Sequence, residues 1–213
     1  MGYRSASGLI LRRRDIFEQD QEISLLTSEG VLDVRAPHAR KSQKTYCGRL
    51  EPPNDVSARL YRSKDHSSWV VSTVAVETVY ADLLREDSIR PRLWPLLSLY
   101  RELFPEGEPP DQALPHLKKG LQYLKQGYRP VGMVTNRALT TLARKTGVAP
   151  EGDSCAKCER TVEESVNDGL SHGISPVFGL LCGRCSTEFE EDPVWTLSAE
   201  ATDLYRDLLG RSW

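Results

Sequence analysis

The stretch ISLLTSEGVLDVRA, residues 23–36, decides the fold. Ile23 to Thr27 is a short apolar run, Ser28, Glu29 and Gly30 form a tight turn, and from Val31 to Ala36 the side chains alternate. Leu32, Val34 and Ala36 fall on one side and Asp33 and Arg35 on the other, which is the period of two expected of strands. A glycine-containing turn between two such runs predicts an antiparallel hairpin. Upstream, about Arg4 to Arg13 reads as another strand, with Gly8 in its interior as a bulge or bend. Downstream, a long loop from Pro37 to Pro53 carries His38, Arg40, Lys41, Lys44, Tyr46 and Arg49. A fourth strand then sets Val56, Ala58 and Leu60 inward against Ser57, Arg59 and Tyr61, and a fifth runs from Trp69 to about Val76. Five short strands with one long connection suit a small antiparallel barrel of the OB type, whereas a sandwich usually needs about seven.

After Glu77 the period changes to 3.6, with proline and glycine as punctuation. Leu93, Leu96, Leu97, Tyr100, Leu103 and Phe104 make the apolar face of one helix, which stops at Pro105 and Gly107. Leu114, Leu117, Leu121 and Leu124 make the stripe of a second that ends at Gly127, and a third spans about Gly132 to Lys145. A last helix is expected from about Ser198, with Ala201, Leu204, Tyr205 and Leu208 inward. The expected class is α+β: an OB barrel over residues 1–79, then an α-helical domain over 80–213 with a four-cysteine zinc knot inserted at about 152–188.

That knot is read from two C-x-x-C pairs, Cys155/Cys158 in CAKC and Cys182/Cys185 in CGRC, separated by 23 residues. Each pair bends two thiolates toward one point, and two pairs supply the four soft donors that tetrahedral zinc prefers. Four thiolates close the coordination sphere, so one structural rather than catalytic ion is expected. Two disulfides, a redox pair or rubredoxin-like iron would use the same residues, and His172 within the insertion is an alternative ligand. Cys47 has no partner and is expected to be a partly buried spare thiol.

The N-terminal MGYRSASGLILRRR lacks the apolar core of a signal peptide, and no apolar run reaches the length of a membrane span. A cytoplasmic protein with no membrane partner is expected. The net charge of −2 hides an asymmetry: residues 1–50 carry nine Lys and Arg against six Asp and Glu, while 186–213 carry two against seven. A basic front half suits an anionic polymer. Arg12, Arg13, Arg14, Arg35, Arg40, Lys41 and Lys44 are the candidate phosphate contacts, with Tyr46 and Tyr61 as platforms for base stacking. No phosphate loop, nucleophile elbow, H-E-x-x-H helix or carboxylate pair with a histidine is present, and the acidic run Glu188, Glu190, Glu191, Asp192 reads as a solvated face. Enzymatic turnover is not expected.

The order of these features resembles the bacterial recombination mediator family RecO along nearly the whole chain. The stretch SASGLILRRRDIFEQDQEISLLTSEGVLDVRAPHAR is similar to the family's N-terminal signature, and LEPPNDVSARLYR follows as it does there. ETVYADLLRED resembles the start of the family's helical domain, GDSCAKCER its first cysteine knuckle and ISPVFGLLCGRC its second. The departure is in the basic stretch, where the family commonly has a glycine and this chain has Pro37 and His38. The resemblance implies a nucleoid-associated protein that binds single- and double-stranded DNA and anneals complementary strands. With RecR it would help to place RecA on DNA coated by single-strand binding protein, in the repair of gaps and breaks. Rival readings are an OB-type RNA-binding protein and a zinc-ribbon adaptor.

Overall fold

The computed structural model describes residues 2–41, 46–62, 68–147, 154–161, 164, 172–175, 179–188, 195–198 and 201. Five strands, β1 (Gly2–Ile16), β2 (Asp20–Thr27), β3 (Gly30–Ala36), β4 (Asp55–Arg62) and β5 (Trp69–Thr78), close on themselves in the order β1-β2-β3-β5-β4. All pairings are antiparallel except β3 with β5, where Val34 lies beside Trp69 and Arg35 beside Val70. The period-two residues fill the interior: Ile10, Ile23, Leu25, Leu32, Val34, Ala36, Val56, Ala58 and Leu60 share one buried cluster. Each fully buried aliphatic side chain there contributes roughly 1.5–3 kcal/mol.

Gly8 has a different role from the expected bulge. The register of β1 against β2 shifts between Ile10 and Arg12, whereas at Gly8 the partner backbone comes so close that a Cβ would lie 1.9 Å from the Leu26 carbonyl oxygen. Gly30 is fixed twice over: its φ is +104°, and a Cβ would lie 2.2 Å from the Pro105 carbonyl oxygen. The turn residue next to it joins the barrel to the helical part, since Gly107 N–H donates to Glu29 C=O (2.9 Å) and Val31 N–H to Phe104 C=O (2.7 Å).

The long connection does not stay on the surface. Tyr46 and Leu50 enter the barrel's core cluster, and the Tyr46 hydroxyl donates to Val71 C=O (3.4 Å) while Arg49 donates to Val74 C=O (3.3 Å). Asn54, fully buried, ties this segment to the chain leaving β5. Its Oδ1 accepts from the N–H groups of Tyr80 (2.8 Å) and Ala81 (2.9 Å), and its Nδ2 donates to Gly48 C=O (3.0 Å). At the other end of the loop His38 sits at φ +55°, in the left-handed region that glycine enters freely. Asp20 accepts from the His38 N–H (2.8 Å), and Gln19 bonds the His38 ring at 3.1 Å, so two contacts hold the histidine in this conformation.

Beyond a 3-10 turn at Ala81–Arg85, α1 (Arg90–Leu103) buries Leu93, Leu96, Leu97 and Tyr100, and α2 (Ala113–Lys125) buries Leu114, Leu117, Leu121 and Leu124. α1 packs on β1 and β2, which is why Leu9 and Leu26, on the outer wall of those strands, are as buried as the barrel interior. Arg101 of α1 donates to Ser24 (3.0 Å), and Lys118 of α2 pairs with Asp55 at 2.8 Å. α3 covers Val131–Lys145. The change from strand to helix falls at residues 79–80, but compactness divides the chain elsewhere: 1–139 form one unit and 140–213 a second. In the second unit β6 (His172–Ser175) pairs with β7 (Gly179–Cys182) and β8 (Trp195–Leu197), and a single turn, α4 (Gly183–Ser186), follows β7. Of the expected last helix only Ala201 is helical among the described residues; Leu204, Tyr205 and Leu208 lie outside them.

Candidate metal centre and nucleic-acid interface

Cys155 and Cys158 lie in a reversed turn, with Cys155 N–H donating to Arg160 C=O, Glu159 N–H to Cys155 C=O and Ala156 N–H to Leu180 C=O, each at 2.8 Å. The last of these brings the turn against β7, which ends in Cys182, and α4 carries Cys185. The four Sγ atoms all lie within 4.8 Å of one another, and Cys158 and Cys182 are 3.8 Å apart. Four thiolates at the ~2.3 Å of a tetrahedral zinc–sulfur bond would stand about 3.8 Å apart, so the donor set fits such an ion. All five cysteines are free thiols. Burial opposes ionisation of Cys155, yet the backbone N–H groups of Cys182, Cys158 and Lys157 outweigh it and hold the thiol at about 6. Burial and the neighbouring thiols instead push Cys185 up. These four residues can hold a metal ion. His172 faces Cys182 across the β6–β7 pair and is not one of the clustered ligands. Lys157 pairs with Glu188, so this member of the acidic run is neutralised locally; Glu190, Glu191 and Asp192 lie outside the described residues. Cys47, expected to be partly buried, is exposed.

The barrel cations are less uniform than a consecutive basic run suggests. Side chains alternate along β1, so Arg12, Arg13 and Arg14 cannot all face one way. Arg13 pairs with Glu51, whereas Arg14 pairs with Glu22 at 2.7 Å. Arg35 lies directly across from Glu22 and donates to Asp20 (2.7 Å). Arg40 reaches Asp15 at 3.5 Å and the Glu18 carbonyl at 3.1 Å. Arg14, Arg35 and Arg40 therefore gather around the β1–β2 turn; Arg12 and Lys41 are exposed, and Lys44 lies outside the described residues. The Asp20 carboxyl sits below its ordinary value of 3.8, chiefly because it accepts the His38 N–H; burial opposes this and Arg35 adds to it.

The expected tyrosine platforms are not the exposed aromatics. Tyr46 is 8% exposed and packs in the core, and Tyr61 is half-buried. Phe17 is 77% exposed, and Trp69, half-buried like Tyr61, packs against the barrel core. The Arg35 guanidinium lies 5.6 Å from the Phe17 ring, and those of Arg62 and Arg4 lie 4.5 and 5.9 Å from the Trp69 ring. A signal for Phe17 is present in the sequence, since an aromatic at the tip of FEQDQ interrupts an otherwise polar turn. No helix among the described residues is long and apolar enough to cross a membrane.

A family model described as the C-terminal part of recombination protein O matches residues 96–206. The chain is 30% identical over 195 residues to the DNA repair protein RecO of Myxococcus xanthus, covering 89% of this chain and 77% of that one. It is 29% identical to RecO of an Anaeromyxobacter strain (84% and 69% covered) and 28% identical to RecO of another (94% and 77%). Among solved structures, an asparaginyl-tRNA synthetase of Entamoeba histolytica is similar over 59% of this chain and 32% of that chain, at 13% identity and a TM-score of 0.33, too low to carry any argument. With more than half of its residues matched by the family model and most of its length matched by relatives named as DNA repair proteins, the chain belongs to the RecO family of DNA repair and recombination proteins.

Proposed function

We propose that this protein is a recombination mediator. It binds single- and double-stranded DNA without reading sequence, anneals complementary strands, and with RecR helps to load RecA onto DNA coated by single-strand binding protein. It acts by binding rather than by turnover. Residues 1–79 form the nucleic-acid-binding part, a barrel of the OB type, and 80–213 the helical part with the cysteine insertion at about 152–188. The supporting observation is a closed barrel in the order β1-β2-β3-β5-β4 whose hairpin and loop carry Arg12, Arg13, Arg14, Arg35, Arg40 and Lys41. Cations of this kind neutralise phosphate irrespective of base, as annealing of two repelling backbones requires. Lys44 is assigned to the same set from the sequence. Zinc on Cys155, Cys158, Cys182 and Cys185 serves structure: with all four positions filled by thiolates it ties the 155–158 turn to β7 and α4.

The test is annealing of complementary single strands already coated with single-strand binding protein, followed by fluorescence quenching at two salt concentrations without nucleotide. Fast annealing that slows at the higher salt is expected. A folded, zinc-loaded sample that does not anneal would remove the mediator reading.

A further inference from the structure

All five strands place a side chain around one groove of about 550 Å³, within the ~300–1,000 Å³ of ligand-sized clefts. Arg14 comes from β1, Glu22 from β2, Arg35 from β3, Trp69 from β5 and Arg62 from β4, and Phe17 stands at the β1–β2 turn. The wall is a cross-strand row: Arg14 lies opposite Glu22, and Glu22 opposite Arg35.

Two features of this groove carry a cost in free energy. Phe17 is 77% exposed, and its φ is +55°, a left-handed backbone that costs a bulky residue roughly 1–2 kcal/mol. Arg62 has its Nε buried with no hydrogen-bond partner among the described residues, and its guanidinium lies against the Trp69 ring. Strain and unpaired polar groups that persist beside an open cleft point to a ligand. An exposed ring beside one guanidinium and an indole beside another offer flat faces rather than a donor pattern. Flat π-faces beside cations fit unpaired bases with their phosphates close by, and a duplex hides those faces within its own stack.

We propose that Phe17 and Trp69, with Arg35 and Arg62, form a base-stacking groove that takes unpaired bases of single-stranded DNA. This rests on the nucleic-acid reading of the barrel and adds to it a preference for single strands over duplex.

The experiment compares the full chain with Phe17→Ala and Phe17→Trp. Binding is measured by fluorescence anisotropy to oligodeoxythymidine of about 15 nucleotides, to an abasic strand of equal length and to a duplex of equal length. Phe17 is exposed, so its replacement leaves folding intact, which circular dichroism checks. The wild type binds oligodeoxythymidine more tightly than the abasic strand or the duplex. Phe17→Ala loses about 5- to 100-fold on oligodeoxythymidine and nothing on the abasic strand, and Phe17→Trp retains wild-type affinity. Unchanged affinity of Phe17→Ala for oligodeoxythymidine, or an equal loss on the abasic strand, overturns the groove while leaving the barrel's DNA binding in place. A wild type that binds neither strand overturns the nucleic-acid reading and the groove with it.

Discussion

Asn54→Ala is the substitution to which residues 1–139 should be most sensitive for its size. The amide makes three hydrogen bonds at once, accepting from Tyr80 and Ala81 and donating to Gly48 C=O, all between 2.8 and 3.0 Å. Alanine removes every partner and cannot replace them with water at a site that is 0% exposed. The Tyr80 N–H is fully buried, so leaving it unpaired costs about 1–3 kcal/mol. The bonds to Ala81 and Gly48 are partly buried and contribute about 0.5–1 kcal/mol each. The expected loss is roughly 2–5 kcal/mol, a large part of the ~5–15 kcal/mol that holds a domain of this kind. With a urea slope near ~2 kcal/mol/M, the midpoint should fall by about 1–2.5 M. Asn54→Asp keeps the acceptor but sets a second oxygen against Gly48 C=O, so it should also destabilise. Equilibrium unfolding followed by intrinsic fluorescence reads both variants. A midpoint for Asn54→Ala within ~0.3 M of wild type would refute the assignment of Asn54 as the tie between the loop, β4 and the exit from β5.

The remaining predictions concern the β1–β2 pair, the ion and acid. Gly8→Ala sets a Cβ 1.9 Å from the Leu26 carbonyl oxygen and should cost about 3 kcal/mol or more, against near neutrality if the strands part freely, as unfolding curves will show. Removing metal with a chelator, or Cys158→Ser, should speed amide exchange at Leu180 and Leu181 while leaving Ile23–Leu26 protected; equal protection in both forms would deny the ion a structural role. Asp20 binds its proton less readily folded than unfolded, so its contribution is complete above 3.8 and is lost as pH falls through its lower folded value. Unfolding midpoints of wild type and Asp20→Asn should therefore differ at pH 7 and converge toward pH 3, whereas a gap that does not change with pH would contradict this.

Strand alternation in 23–36 and 55–62, and the leucine stripes of α1 and α2, were legible because each reflects a local period that survives in the fold. Leu9 and Leu26 break that alternation, since their outer face is covered by α1, a contact that no local pattern records. Tyr46 and Leu50 fall in the long loop expected over Pro37–Pro53, where a single turn has too few residues to show a period, yet they close the barrel core. The clustering of Cys155, Cys158, Cys182 and Cys185 was legible because two thiols at C-x-x-C spacing constrain their own geometry. The groove was not, because Phe17, Arg62 and Trp69 meet only when β4, β5 and the β1–β2 turn come together across the barrel.

The claim that the barrel holds single strands through its cations is tested most directly by the salt dependence of binding. Affinity for oligodeoxythymidine should fall with a log–log slope near −0.7 for each phosphate contacted, about −3 to −4 if Arg12, Arg14, Arg35, Arg40 and Lys41 all take part. Arg35→Gln should make the slope shallower by about 0.7. A slope near zero, or one that Arg35→Gln leaves unchanged, would contradict the assignment of DNA binding to this face.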